Sequence, residues 1–241
     1  MSNKKEGQIV QSGQSALTHG DVPEFLKAQK GHQAGMEDVE QSDIIMPRLG
    51  LCQALSPQRR SSDPNYLPDL KEGEFFNTVS GEIYGKEIDL ICLFFFKNRI
   101  KYIDLKEGGG IDCSSPNAID GGRISPMGCA SCRFSAWGNG AIDKESPEAN
   151  EAPLCTLYHN YMCFLHEVSV PTPIALSYKS TGIKLSKQLL ANVRITNLPM
   201  YSKTYHISSI IMRKDNNEWF EKKITPGAYV DKSLFDSMDS L

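Results

Sequence analysis

Residues 87–104 read EIDLICLFFFKNRIKYID, and the fold turns on how this run is paired. Leu90 to Phe96 is the longest apolar stretch in the chain, of strand rather than membrane length. If Lys97-Asn98 is a tight turn, Phe96 pairs with Arg99, Phe95 with Ile100, Phe94 with Lys101 and Leu93 with Tyr102. Directly paired residues share a face and successive residues alternate. One face then carries Leu93, Phe95, Ile100 and Tyr102, a core set. The other carries Phe94, Phe96, Arg99 and Lys101, which combines flat rings with cations. That is the chemistry of single-strand binders, where bases stack on rings and Lys or Arg track phosphates. The rival reading is a strand buried on both faces that ends in a solvated segment from Lys97 to Lys101. Asn98 suits a tight turn; Lys97 is not a favoured turn residue.

Downstream, Tyr161–Val168 and Pro173–Tyr178 read as strands. Thr181–Arg194 reads as a helix with an apolar stripe of Ile183, Leu185, Leu189, Leu190 and Val193, capped by Ser180 or Thr181. Tyr205–Met212 and Glu218–Ile224 form a hairpin across residues 214–217. Upstream, residues 56–69 are a loop rich in Ser, Pro and Arg, and residues 74–85 form a hairpin turning near Ser80-Gly81. The expected class is mainly β, a β-rich α+β fold: an OB-like barrel with one helix, or else a β-sandwich with an edge helix. The barrel would occupy residues 43–230. Residues 1–42 would be a flexible arm with a short helix after Asp21, and residues 231–241 an acidic tail.

Between these strands lies an insertion, residues 106–157, broken by Gly108-Gly109-Gly110 and Gly121-Gly122. It contains Cys113, Cys129, Cys132 and Cys155. Cys129-Ala130-Ser131-Cys132 is a Cys-x-x-Cys knuckle, which can supply two thiolates to a tetrahedral Zn²⁺. Cys113 and Cys155 flank it at loop-like positions. A structural zinc would hold a segment too poor in apolar residues to build its own core. An alternative set replaces Cys113 by His159, separated from Cys155 by three residues. Cys52, Cys92 and Cys163 lie in apolar strand contexts and read as core.

The formal net charge is −3, so any nucleic-acid surface is a local patch. Lys179, just before the helix, and Lys184, on its polar face, are candidate phosphate contacts, and Arg48, Arg59, Arg60, Lys187, Arg194 and Lys203 are secondary ones. Seven cysteines without a signal-like start imply a reducing compartment, and no run reaches membrane-span length. The expected location is the cytoplasm. No Walker A loop, Gly-x-Ser-x-Gly elbow or His-Glu-x-x-His occurs. A zinc deaminase would need His-x-Glu upstream of Pro-Cys-x-x-Cys, and Gly128 stands in place of that Pro. A fully thiolate-ligated zinc has no open position for water, so the chain reads as a non-enzyme.

Several segments together resemble a family of bacteriophage and prophage proteins. They are Asp43-Ile-Ile-Met-Pro-Arg-Leu49, Gln53-Ala-Leu-Ser-Pro57, Gly73-Glu-Phe-Phe-Asn77, Gly81-Glu-Ile-Tyr-Gly85 and Phe94-Phe-Phe-Lys97. Cys113-Ser-Ser-Pro116, Gly128-Cys-Ala-Ser-Cys132 with Trp137-Gly138, Pro153-Leu-Cys155 and Pro173-Ile-Ala-Leu-Ser177 continue the match. The resemblance covers about residues 43–230. It implies a phage single-stranded DNA-binding protein with an OB fold, acting in replication or recombination, and it favours Cys113 over His159 as the fourth zinc ligand. Acidic, Phe-containing tails in such proteins recruit replication partners, a role that would fall here to Phe235, Asp236 and Asp239. The second functional reading is a zinc-stapled interaction adaptor without DNA affinity.

Overall fold

The computed structural model describes residues 35–40, 43–140, 147–166 and 173–240. The helix expected after Asp21, and the end of the strand expected to reach Val168, lie outside these residues. So does most of the arm.

The turn expected at Lys97-Asn98 is absent. Glu87–Tyr102 is one continuous strand, β4. Lys97 and Asn98 pair in register with His159 and Tyr158 of β6, Cys155–Leu165. A two-residue turn needs left-handed residues, which Asn-Gly supplies and Lys-Asn does not. A long antiparallel partner satisfies the whole run of backbone groups instead. β6 pairs in turn with β7, Pro173–Lys179. On the other edge of β4, residues 87–91 pair with β8, Lys203–Lys214, and residues 99–102 with β5, Ile111–Ser115. β8 forms a hairpin with β9, Asn217–Tyr229. The sheet order is β7-β6-β4-β8-β9, with β5 on β4.

This sheet curls without closing by hydrogen bonds between β7 and β9. Residues 47–53 lie between those strands. Arg48 makes a parallel bridge to Ala175 of β7, and Ala175 N–H donates to Pro47 O at 2.8 Å. Gln53 clamps β9, its Nε2 donating to Phe220 O and its Oε1 accepting from Phe220 N, each at 2.9 Å. The same segment contains β1, Leu49–Leu51. β1 opens a small antiparallel sheet with β2, Phe75–Asn77, and β3, Ile83–Gly85. Gly50 is required there, because a Cβ would stand 2.5 Å from the Phe76 ring.

The concave side of the large sheet holds the core: Leu90, Cys92, Tyr161, Cys163, Ile174, Leu176, Tyr178, Tyr205 and Ile207, joined by Leu49 and Phe75. The expected helix is α1, Ile183–Thr196. It turns Leu185, Leu189, Leu190 and Val193 onto that core. Neither Ser180 nor Thr181 caps it. They form a 3-10 turn, Ser180–Gly182, that feeds into the helix with no side-chain cap.

The tail is not a free acidic peptide. Lys232–Asp239 forms a helix, α2, capped by Asp231, whose side chain accepts from Leu234 N at 2.9 Å. Phe235 packs on Tyr201 with centroids 5.2 Å apart, and Met238 is buried. No helix among the described residues is long and apolar enough to cross a membrane.

Candidate nucleic-acid face and cysteine loop

A bulge decides which phenylalanines face outward. Between Cys92 and Phe94 the register with β6 skips Leu93, so Cys92 pairs with Cys163 and Phe94 with the next residue, Met162. Without the skip, Phe94 would share the buried face of Cys92, because side chains two apart point the same way. With it, Phe95 turns inward onto His159 and Tyr161 (centroids 5.1 and 5.2 Å). Phe94 and Phe96 turn outward, 53% and 37% exposed, with their rings 6.0 Å apart.

The outward face continues across three strands. Phe96, Asn160 and Ser177 form one row, and Asn98, Tyr158 and Lys179 the next. Asn160 Nδ2 donates to Asn98 Oδ1, and Ser177 Oγ donates to Asn160 Oδ1, both at 2.8 Å. The Tyr102 and Tyr158 hydroxyls lie 3.3 Å apart. Burial and the Tyr102 hydroxyl push the Tyr158 phenol up, while Arg48 pulls it down. The face thus presents two phenylalanines and two tyrosines around a polar ladder whose central Asn160 is buried, with exposed Arg48 and Lys179 at its β7 side. Behind these cations, Lys222 stands 5.8 Å from the Tyr178 ring centroid. Burial above all, with Lys179 and Arg48 adding and Glu221 opposing, holds its ammonium down to about 8.

The loss of the turn divides the predicted DNA-contacting set. Phe94, Phe96 and Lys179 share the outward face. Arg99 and Lys101 alternate to the inner side: Arg99 Nη1 donates to Cys155 O at 3.1 Å, and Lys101 pairs with Asp112 and lies over the Phe134 ring. Lys101 and Arg123 hold the Asp112 carboxyl below its usual range. Lys184 is exposed on α1, which covers the inner side of the sheet.

The cysteines converge on that inner side. Lys101 of β4 pairs with Cys113 on one edge and with Cys155 on the other. Gly128, in a left-handed conformation, leads into a 3-10 turn over Cys129–Ser131, and Ser135 Oγ donates to the carbonyls of both Cys129 and Cys132. Burial pushes the Cys155 thiol up and Arg99 pulls it down. The neighbouring Cys129, Cys132 and Cys113 raise it further. The sulfurs are not drawn into a finished cage, and no group of three or more His, Cys, Asp or Glu among the described residues is set to hold a metal. His159, the rival ligand, is 3% exposed in the core, with Nδ1 2.8 Å from Ser186 Oγ. Its ring packs against Phe95 and α1, away from the knuckle.

A family model described as Pam3 phage gp34-like protein matches residues 11–241. The chain belongs to the Pam3 phage gp34-like family. No curated protein and no solved structure matches it. The gp34-like match spans the open face and the cysteine loop alike.

In this gp34-like chain, sequence reasoning did not select Tyr102, Tyr158 or Trp137 as site residues. Tyr158 became readable only through the pairing of β6 with β4, which local sequence does not encode. Trp137 had a usable signal, a large aromatic between Gly and Ser residues in a segment without a core. It is 69% exposed.

Proposed function

We propose that this protein is a non-enzymatic single-stranded DNA-binding protein, and that the strand lies along the outward face of β4, β6 and β7. The observation that carries this reading is the exposed Phe94–Phe96 pair, turned outward by a bulge and continued by Tyr102 and Tyr158 beside Arg48 and Lys179. Rings at strand spacing accept successive bases, and the cations at their side meet the phosphates. Strand order adds support. β4-β6-β7, a helix, then β8-β9, with β4 between β6 and β8, is the order of an OB barrel left open between its third and fifth strands. In OB folds the second and third strands and the loops at either side bind oligonucleotides. Here those are β6, β7, the cysteine loop and the residue 214–217 turn. Phage replication or recombination is the setting this implies.

We further infer a structural Zn²⁺ held by Cys113, Cys129, Cys132 and Cys155. The donor chemistry fits: four thiols, one pair on a Cys-x-x-Cys knuckle and the other pair on β5 and β6, flanking Lys101 of the strand between them. The metal would supply cross-linking of the loop to the sheet.

The test is a titration of single-stranded against double-stranded DNA over a range of salt. The reading expects preference for the single strand and weakening as salt rises, since bound cations displace condensed counterions. No binding at low salt sinks it. A second reading has one observation in its favour. Residues 92–98 of β4 have no strand partner on the β8/β5 edge among the described residues, and a bare edge can accept a partner's strand. That reading makes the chain a zinc-stapled adaptor, and the same titration separates the two.

A further inference from the structure

A cleft of about 530 Å³ opens on the inner side of the sheet, between the cysteine loop and the start of α1. Trp137 and Pro153 of the loop form one wall and Ser180 and Thr181 the other, with Arg99 and Leu157 at the base. We infer that this cleft is a nucleobase pocket, in which Trp137 stacks on one base of the bound strand and Arg99, Ser180 and Thr181 supply polar contacts. The inference rests on the single-strand reading and extends it to a second site.

Trp137 has no folding reason to be exposed where it is. An indole contributes by burial, and an exposed one on a fixed backbone is a contact waiting for a partner. Its backbone is held firmly. Gly138 N–H donates to Glu151 O at 2.9 Å, and Asn139 Oδ1 accepts from Leu154 N at 2.9 Å. Gly138 and Asn139 are both left-handed, and a Cβ on Gly138 would meet Ala149 at 2.9 Å. The loop is therefore built to present the ring in one place, which lowers the entropic cost of stacking. Arg99 is oriented by its bond to Cys155 O and has no carboxylate partner among the described residues. That leaves a planar cation for a base edge or a phosphate. The cleft is also continuous with the outward face. Lys179 stands on that face opposite Tyr158, and the next two residues, Ser180 and Thr181, line the cleft. A strand leaving Tyr158 and Lys179 rounds the end of β7 and enters it.

The chain has two tryptophans, so Trp219→Phe leaves Trp137 as the only indole. Titration of that variant with oligo-dT of roughly 30 nucleotides, several times an OB-type site, is followed by indole emission and by anisotropy of labelled DNA. The expected result is quenching of Trp137 that saturates together with anisotropy. Trp137→Ala weakens binding about tenfold, as loss of one base stack does, with an unchanged melting temperature, and Trp137→Phe restores most of it. Unquenched emission, with full affinity in Trp137→Ala, overturns the pocket while the outward-face reading stands. No binding by any variant at low salt overturns both.

Discussion

His159 Nδ1 and Ser186 Oγ lie 2.8 Å apart in a seam between β6 and α1 that solvent does not reach. The same Ser186 Oγ sits 2.6 Å from the Tyr161 hydroxyl, so one helix serine joins two inward polar groups of β6 to α1. Burial first, then the charges of Lys97 and Lys187, hold the His159 imidazole down to about 4 from an ordinary 6.5. The folded protein keeps it neutral where the unfolded chain takes up a proton. The His159 contribution to stability is therefore flat above pH 6.5, falls as pH drops from 6.5 towards 4, and levels off below that. At about 1.4 kcal/mol per unit, the loss approaches about 3 kcal/mol. Urea unfolding at pH 7 and pH 4.5 measures it, and His159→Gln flattens the difference. An unchanged slope in that variant would assign the acid lability to other groups.

Phe94→Ala and Phe96→Ala each weaken single-strand binding by roughly 1–3 kcal/mol, the worth of one base stack. They leave thermal stability nearly unchanged, since both rings are exposed. Phe95→Ala does the reverse. Its ring packs inside on His159 and Tyr161, so its loss costs about 3–5 kcal/mol of stability. Parallel melts and DNA titrations separate the two patterns, and equal effects at Phe94 and Phe95 contradict the assigned faces.

Arg48→Gln and Lys179→Gln each lower the dependence of log K on log salt by about 0.7, the single-strand value for one lost phosphate contact. Lys184→Gln leaves the slope alone, because Lys184 neither stands on the outward face nor lines the cleft. A slope that responds to Lys184 and not to Lys179 would move the phosphate track to the helix.

Metal analysis of purified protein finds about one Zn²⁺ per chain. Cys113→Ser and Cys132→Ser each lose it and loosen the loop, seen as faster proteolysis within residues 103–154. Cys52→Ser keeps the metal, since Cys52 is buried in a separate cluster with Leu70 and Phe76. His159→Gln also keeps it. Metal-free protein with a protected loop would show that hydrogen bonds alone hold this segment.

Gly50→Ala destabilises by about 1–3 kcal/mol through overpacking against Phe76. Melting temperature reports it, and a smaller residue at position 76 relieves it. An unaffected melt would mean that β1 yields at no cost.

The mainly β class, the single-stripe helix and the β8–β9 hairpin were legible because each rests on local periodicity. Ile183 to Val193 repeats at helical spacing, and the two arms flanking Lys214 to Asn217 alternate as strands. That Phe94 and Phe96 share a face and Phe95 takes the other was legible for the same reason, though not which face meets the core, since the bulge at Leu93 sets that. The placing of Arg99 and Lys101 was not. It depends on whether the chain turns at Lys97 or continues, and that is decided by β6, more than fifty residues downstream. A bulge at Leu93 is equally invisible locally, since only the partner strand reveals a skipped residue. The tail misled for another reason. Its acids suggested solvent, while Leu234, Phe235 and Met238 recur at helical spacing and dock on the body.

Lys101 has Cys155 as its register partner across β4 and β6. The chain thus turns away just after Lys101 and returns beside it, and what lies between is a detour whose ends nearly touch and which rejoins the sheet as β5, on the opposite edge of β4. Loop closure costs little more for a long detour than for a short one. Residues 103–154 can therefore be exchanged as a cassette: a short turn in their place leaves β4 and β6 an ordinary hairpin, with the outward rings undisturbed. Such an exchange would remove the cleft and its indole while keeping the same platform.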